Sequence, residues 1–257
     1  MGQSLVLLAV WAASAPAQVP AGRGSPAAAD AVVEHCIEWL VAAREEHRAG
    51  GGLAPLAVGI SAPGPLDAAA GVLIDPPNLH GDWRGFPLAA TIAERLSLPW
   101  AMERDTNVAI LGERDFGAGR GARDLVYLTI STGVGGAVII DGRLLVGPDG
   151  VSGELGHMTV DIDGPMCACG GIGHLEALAS GTGIAAAARE ALERGQDAPH
   201  LASLAAARAP LPLRAIDVTD AAAMGDPVAG VILERARQAV AVAVVPSSTS
   251  SAPTWSS

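Results

Sequence analysis

Apolar positions follow two rhythms along this chain. Between residues 31 and 48 they recur at Val32, Val33, Cys36, Ile37, Leu40 and Val41, three and four apart. That spacing predicts an amphipathic helix, closed by Gly50-Gly51-Gly52. Short aliphatic runs predict strands at 56–60, 72–74, 98–102 and 125–130. The last of these turns through the glycine-rich residues 131–136 and pairs back at 137–141. Helical spacing returns at 88–96 and 106–116, and after residue 176 it dominates, at 184–194, 202–208 and 227–244. Polar and breaker-rich stretches punctuate the series: a Pro, Gly and Ala linker at 20–30, S-A-P-G-P-L-D at 61–67, D-P-P-N-L-H-G-D-W at 75–83, and G-A-G-R-G-A-R at 117–123. From Pro246 the chain becomes a Ser-rich, low-complexity tail. Strands alternating with helices indicate an α/β fold, and no fixed-period repeat is visible.

Composition narrows this picture. Half of the 257 residues are hydrophobic but only 3% are aromatic, so the core must be built from Ala, Val, Leu and Ile. The formal net charge is −11 and no Lys/Arg cluster occurs, which argues against a nucleic-acid partner. Three cysteines, two of them close together, make no disulfide framework and fit a reducing, cytoplasmic compartment. The apolar run at 5–13 falls short of the roughly 20 residues that span a bilayer, so no membrane partner is expected. Ala15-Pro16-Ala17 resembles a signal-peptidase site, yet no Lys or Arg precedes the run, as a secretory leader would require. A truncated or misread start is the plainer account of the segment.

Candidate chemistry gathers in a few places. Residues 153–176 read G-E-L-G-H, a nine-residue gap, then C-A-C-G-G-I-G-H-L-E. Cys167 and Cys169 with His157 and His174 form a four-ligand set suited to tetrahedral zinc; as a bare pair, the cysteines are equally well small buried hydrophobes. In E-R-D-T-N at 103–107, Asp105 stands where a strand gives way to a helix. A helix N-terminus favours an ionised carboxylate, which suits a general base. An N-cap is the other use of Asp there. In L-T-I-S-T-G-V-G-G at 128–136, backbone amides can form a nest for phosphate oxygens, or simply a tight hairpin. Asn78 follows a double proline that would hold its amide toward a polar ligand, or leave it an exposed turn residue. Glu154 and Glu176 flank the knuckle and would gather near His157 as acceptors for hydroxyls.

Taken in order, V-G-I-S-A-P-G-P-L-D at 58–67, P-N-L at 77–79, E-R-D-T-N, L-T-I-S-T-G-V-G-G and the knuckle resemble the ROK family of repressors and sugar kinases. The similarity runs over residues 31–244 and is greatest to the glucokinase and N-acetylmannosamine kinase branches. It implies an actin-like, ribonuclease-H-like fold of two lobes: a small α/β lobe at 31–116 and a large one with the knuckle at 117–245, flanked by an atypical segment 1–30 and the tail 246–257. It also implies ATP and Mg²⁺, a structural Zn²⁺, a hexose substrate, and a homo-oligomer, dimer or tetramer. Asp105 would take the proton of the attacking sugar hydroxyl. Asn78, Glu154, His157 and Glu176 would bind sugar hydroxyls, and Thr132, Gly133, Gly135 and Gly136 would cradle phosphate. His157, Cys167, Cys169 and His174 would hold zinc. The expected reaction is phosphorylation of glucose to glucose 6-phosphate; N-acetylmannosamine phosphorylation and a non-catalytic, sugar-binding or regulatory role are the alternatives. The chain departs from the family pattern in four ways. His174 replaces the third cysteine, Arg104 replaces an Asn beside the base, and neither a D-x-G-G-T loop nor the late Gly-Gly segment of the adenosine site occurs. Truncation at both ends, leaving an inactive fragment, is the expectation these absences raise.

Overall fold

The protein is described by a computed structural model covering residues 10–11, 27–76, 79, 81–147 and 152–248. Its contacts divide it into two compact units, residues 1–126 with 138–152, and residues 127–137 with 153–257.

The first unit contains β1 (Val10–Trp11), α1 (Ala27–Ala49), β2 (Val58–Ala62), β3 (Leu66–Asp67), β4 (Val72–Leu73), α2 (Leu88–Leu96), β5 (Trp100–Arg104) and α3 (Asp105–Asp115). β1, β2 and β5 form a parallel sheet in that order, with Val58 opposite Trp100 and Ala62 opposite Arg104. Val10 and Trp11, from the apolar run near the start, thus add an edge strand beside Ile60 and Ser61. Val33, Ile37 and Leu40 of α1 and Ile92 and Leu96 of α2 pack with Ile60 and Met102 in an aliphatic core. A fully buried side chain such as Ile37 contributes about 1.5–3 kcal/mol. Arg44 Nη1 donates to Leu96 O at 3.0 Å, closing the carbonyl end of α2.

The chain then forms β6 (Leu125–Ile130), β7 (Val134–Ile140) and β8 (Arg143–Leu144), a sheet in that order. In the second unit a 3₁₀ turn (Leu155–His157) precedes α4 (Leu175–Ala179), α5 (Gly181–Glu193), α6 (Pro199–Arg208), α7 (Ala215–Ala223) and α8 (Pro227–Ser248). Two small cores serve it. Leu201, Leu213 and Val218 gather with Ala188, Ala221 and Ala229, and Val134, Leu175 and Leu178 with Ala236 and Ala239. The many alanines let these helices approach closely without aromatic filler.

Several boundaries differ from the periodicity. α1 reaches back to Ala27, into the expected linker, because Ala27, Ala28 and Ala29 are the best helix formers. The strands expected at 56–60 and 98–102 each sit two residues later. β7 starts at Val134 instead of 137, so the turn is only three residues long. α5 starts at Gly181 instead of 184, since Ser180 Oγ accepts the Gly183 N–H at 2.9 Å and caps it. α8 runs to Ser248, past the Pro246 where a tail was expected. α4 and α7 were not expected at all. α7 is entered by a cap in which Arg214 N donates to Asp217 Oδ2 at 2.7 Å.

Candidate functional site

The knuckle is folded by its own backbone. Val160 N and Asp161 N both donate to Gly173 O, at 2.9 and 3.2 Å, and Gly173 N donates to Pro165 O at 2.8 Å. Cys167 N donates to Gly171 O at 2.7 Å, and Gly170 N returns to Cys167 O at 2.9 Å. These turns bring one donor atom from each of His157, Cys167, Cys169 and His174 to within 4.8 Å of one another. Cys169 Sγ lies 3.2 Å from His174 Nδ1, and Cys167 Sγ 3.9 Å from His157 Nδ1. Around tetrahedral zinc the bonds are about 2.3 Å to sulfur and 2.0–2.1 Å to nitrogen, which sets donors roughly 3.3–3.8 Å apart. The set therefore fits such an ion after shifts on the order of 1 Å, and two thiols with two imidazoles are a chemistry zinc takes readily. Burial pushes the Cys167 thiol up, and the Cys169 thiol and the Glu176 carboxylate add to this against one backbone N–H of Cys169. A bound cation reverses that balance by stabilising the thiolate.

The acids flanking the knuckle have different surroundings. Glu154 is exposed, with Oε2 4.0 Å from His157 Nε2. Glu176, on α4, accepts the Val134 N–H at 2.9 Å and so holds the start of β7. The turn before it is closed by Ser131 N donating to Gly133 O at 2.9 Å. From the other side Gly181 N donates to Ser131 O at 2.7 Å, and Thr182 Oγ1 to Thr132 O at 2.9 Å. Thr132 and Gly133 thus lie in the turn proper, whereas Gly135 and Gly136 lie in β7. A side chain at Gly136 would meet that of Leu155 at 2.6 Å, so this glycine is needed for packing against the 3₁₀ turn. Thr182 escaped notice in the sequence; the signal for it was the S-G-T-G run ahead of the alanine-rich helix.

In the first unit, Asp105 is the first residue of α3 and is exposed. Its Oδ1 accepts the adjacent Thr106 N–H at 2.8 Å. Arg104 holds the N-cap position with no cap bond from its own side chain, and Asp105, one residue later, ties down one amide of the first turn. Arg104 is buried at 4% exposure, its guanidinium reaching Ser152 O and Thr106 Oγ1 at 3.4 Å. Glu103 binds back to the same helix, accepting Arg104 N at 2.8 Å and Asn107 Nδ2 at 3.0 Å. Asn78 lies outside the described residues.

One unit thus presents a solvent-facing carboxylate at a helix start, and the other a metal-ligand set tied to a backbone turn. The ROK family model matches residues 25–254, and the chain belongs to the ROK family. It is 42% identical over 188 residues to the glucokinase of Thermotoga maritima, across 73% of this chain and 58% of that protein. Among solved structures it resembles the ROK hexokinase of Thermus thermophilus, with TM-score 0.66, 33% identity, and coverage of 83% of this chain and 65% of that one. It also resembles a ROK family glucokinase from Streptomyces griseus in complex with glucose and AMPPNP, with TM-score 0.61, 34% identity, and coverage of 84% and 68%. The fold is accordingly the actin-like α/β fold that the motifs implied. The chain spans a little over half the length of the Thermotoga relative. Among the described residues no helix is long and apolar enough to cross a membrane.

Proposed function

We propose that this protein phosphorylates a hexose, glucose in the first instance, at the expense of ATP. The observation carrying the reading is Asp105, an exposed carboxylate at the head of α3 with one oxygen on the Thr106 N–H, in a chain of the ROK family. Asp105 takes the proton of the sugar hydroxyl as its oxygen bonds to the γ-phosphorus, and the bond from that phosphorus to the bridging oxygen breaks to release ADP. Asn78, Glu154, His157 and Glu176 bind the other hydroxyls, and the 131–136 segment offers amides to the phosphates. Mg²⁺ would neutralise charge on the transferring group. Zinc on His157, Cys167, Cys169 and His174 would be structural. The glutamate of G-E-L-G-H supports glucose over N-acetylmannosamine, and cysteine usage supports a cytoplasmic site, where the product feeds glycolysis. A dimer or tetramer completes the proposal.

ADP release coupled to NADH oxidation, with glucose, N-acetylmannosamine and fructose, tests it. Glucose should drive turnover best. Asp105→Asn should lower kcat about 10²–10⁴-fold while calorimetric glucose affinity persists. An unaffected kcat would remove Asp105 as the base, and faster turnover of N-acetylmannosamine would overturn the glucose assignment.

A further inference from the structure

We propose that Glu176 is a positioning residue that couples metal occupancy of the knuckle to the geometry of the glycine turn at 131–133. The proposal rests on the reading of His157, Cys167, Cys169 and His174 as metal ligands. Glu176 follows the ligand His174 by two residues and is carried by α4. One carboxylate oxygen faces the knuckle, with the Cys167 thiol 3.9 Å from Oε1, and the other accepts the Val134 N–H at 2.9 Å. A single side chain thus touches a ligand sulfur at one end and the first strand amide after the turn at the other. The fit against the turn is close, since a Cβ at Gly133 would fall 2.6 Å from Oε2.

The surroundings make this link stiff. Leu175 and Leu178, either side of Glu176, are 0% and 7% exposed and share a core with Val134. Six residues after Glu176, Thr182 holds the opposite side of the turn through Thr132 O. The turn is therefore gripped by both ends of one short stretch, and that stretch begins at a ligand. Fixing His174 and Cys167 on an ion fixes the entry to α4, and with it the direction from which Oε2 meets Val134. Releasing the ion leaves the Cys167 sulfur free to swing as a thiol, pulling on the same carboxylate. The turn amides proposed to receive phosphate would then be oriented only in the metal-loaded protein.

Amide exchange at Val134 in ¹⁵N-labelled protein reads the coupling without any turnover. A hydrogen bond to a charged acceptor slows opening by about ten- to a hundredfold. Uptake of one zinc per chain should slow Val134 exchange by at least about tenfold. Glu176→Ala should bind zinc yet lose the slowing. Glu176→Gln keeps an acceptor oxygen and should restore most of it, whereas Glu176→Met, of similar size but without that oxygen, should not; equal rescue by Met would show a bulk packing role. Wild-type protein that takes up no zinc overturns the metal reading and the coupling together. Zinc uptake that leaves Val134 exchange unchanged, or slowing that persists in Glu176→Ala, overturns the coupling alone.

Discussion

At the scale of a residue, the most heavily committed side chain is Asp226. It is 2% exposed and accepts four backbone N–H groups. Those of His200 and Leu201 reach Oδ2 at 3.0 and 3.1 Å, and those of Val228 and Ala229 reach Oδ1 at 3.1 Å each. One carboxylate therefore closes the starts of both α6 and α8. A side-chain cap is worth about 0.5–2 kcal/mol, so Asp226→Ala should cost about 1–4 kcal/mol in urea unfolding at pH 7. Burial raises the Asp226 pKa, but the four donors together outweigh it and the net shift is downward. The folded value then lies below the unfolded one of about 3.9, so the stabilisation is complete above that pH and is lost as pH falls through the folded value. The stability gap between wild type and Asp226→Ala should narrow below about pH 4; a gap of equal size at pH 3 and pH 7 would refute the charge-based account. Half of this role is legible in the sequence, because Asp226-Pro227 is the pattern of a cap followed by proline at the first helical position. The other half, closure of α6 from 25 residues away, exists only once the chain has folded.

At the scale of elements, the knuckle depends on close backbone approach more than on its ligands' spacing. Gly173 has φ +62°, and a Cβ there would meet Asp161 O at 1.4 Å, while Gly170 has φ +92° with open space around it. Gly173→Ala must displace the 159–161 segment that folds the ligand loop, whereas Gly170→Ala bears backbone strain alone, about 1–2 kcal/mol. Elemental analysis should find zinc lost in the first variant and kept in the second; equal retention in both would show that the loop tolerates the displacement. The same distinction explains which elements could be read in advance. Strands and helices with unbroken aliphatic periodicity, such as β6 and α2, were legible to the residue. The Thr132–Gly136 segment was not, since its glycines look alike in sequence. Their folded neighbours separate them, Leu155 against Gly136 in the strand and Glu176 against Gly133 in the turn. Likewise the grouping of the four candidate ligands was legible from residue types, but the bond from Glu176 to Val134 spans 42 residues and leaves no local trace.

At the scale of the whole molecule, all four candidate metal donors belong to one of the two units. On the proposed metal reading, binding energy supplied by zinc would enter the second unit. It would spread through α4 into the core that Leu175 and Leu178 share with Ala236 and Ala239 of α8. A further tie, Arg235 Nη2 to Asp161 Oδ2 at 2.7 Å, joins α8 to the knuckle, though a partly exposed pair of this kind adds only about 0–1 kcal/mol. Apolar contact is thus the main route. Free zinc at a hundred times its dissociation constant should stabilise this unit by about 2.7 kcal/mol, and a chelator should withdraw the gain. Hydrogen exchange followed by mass spectrometry should show protection in residues 153–179 and along α8 from 229 to 243. The β2 and β5 amides, which pack in the separate core around Ile37 and Ile92, should change little. Protection gained equally in β2, β5 and α8 would mean that the two cores unfold as one cooperative body, and the local account of zinc stabilisation would fail.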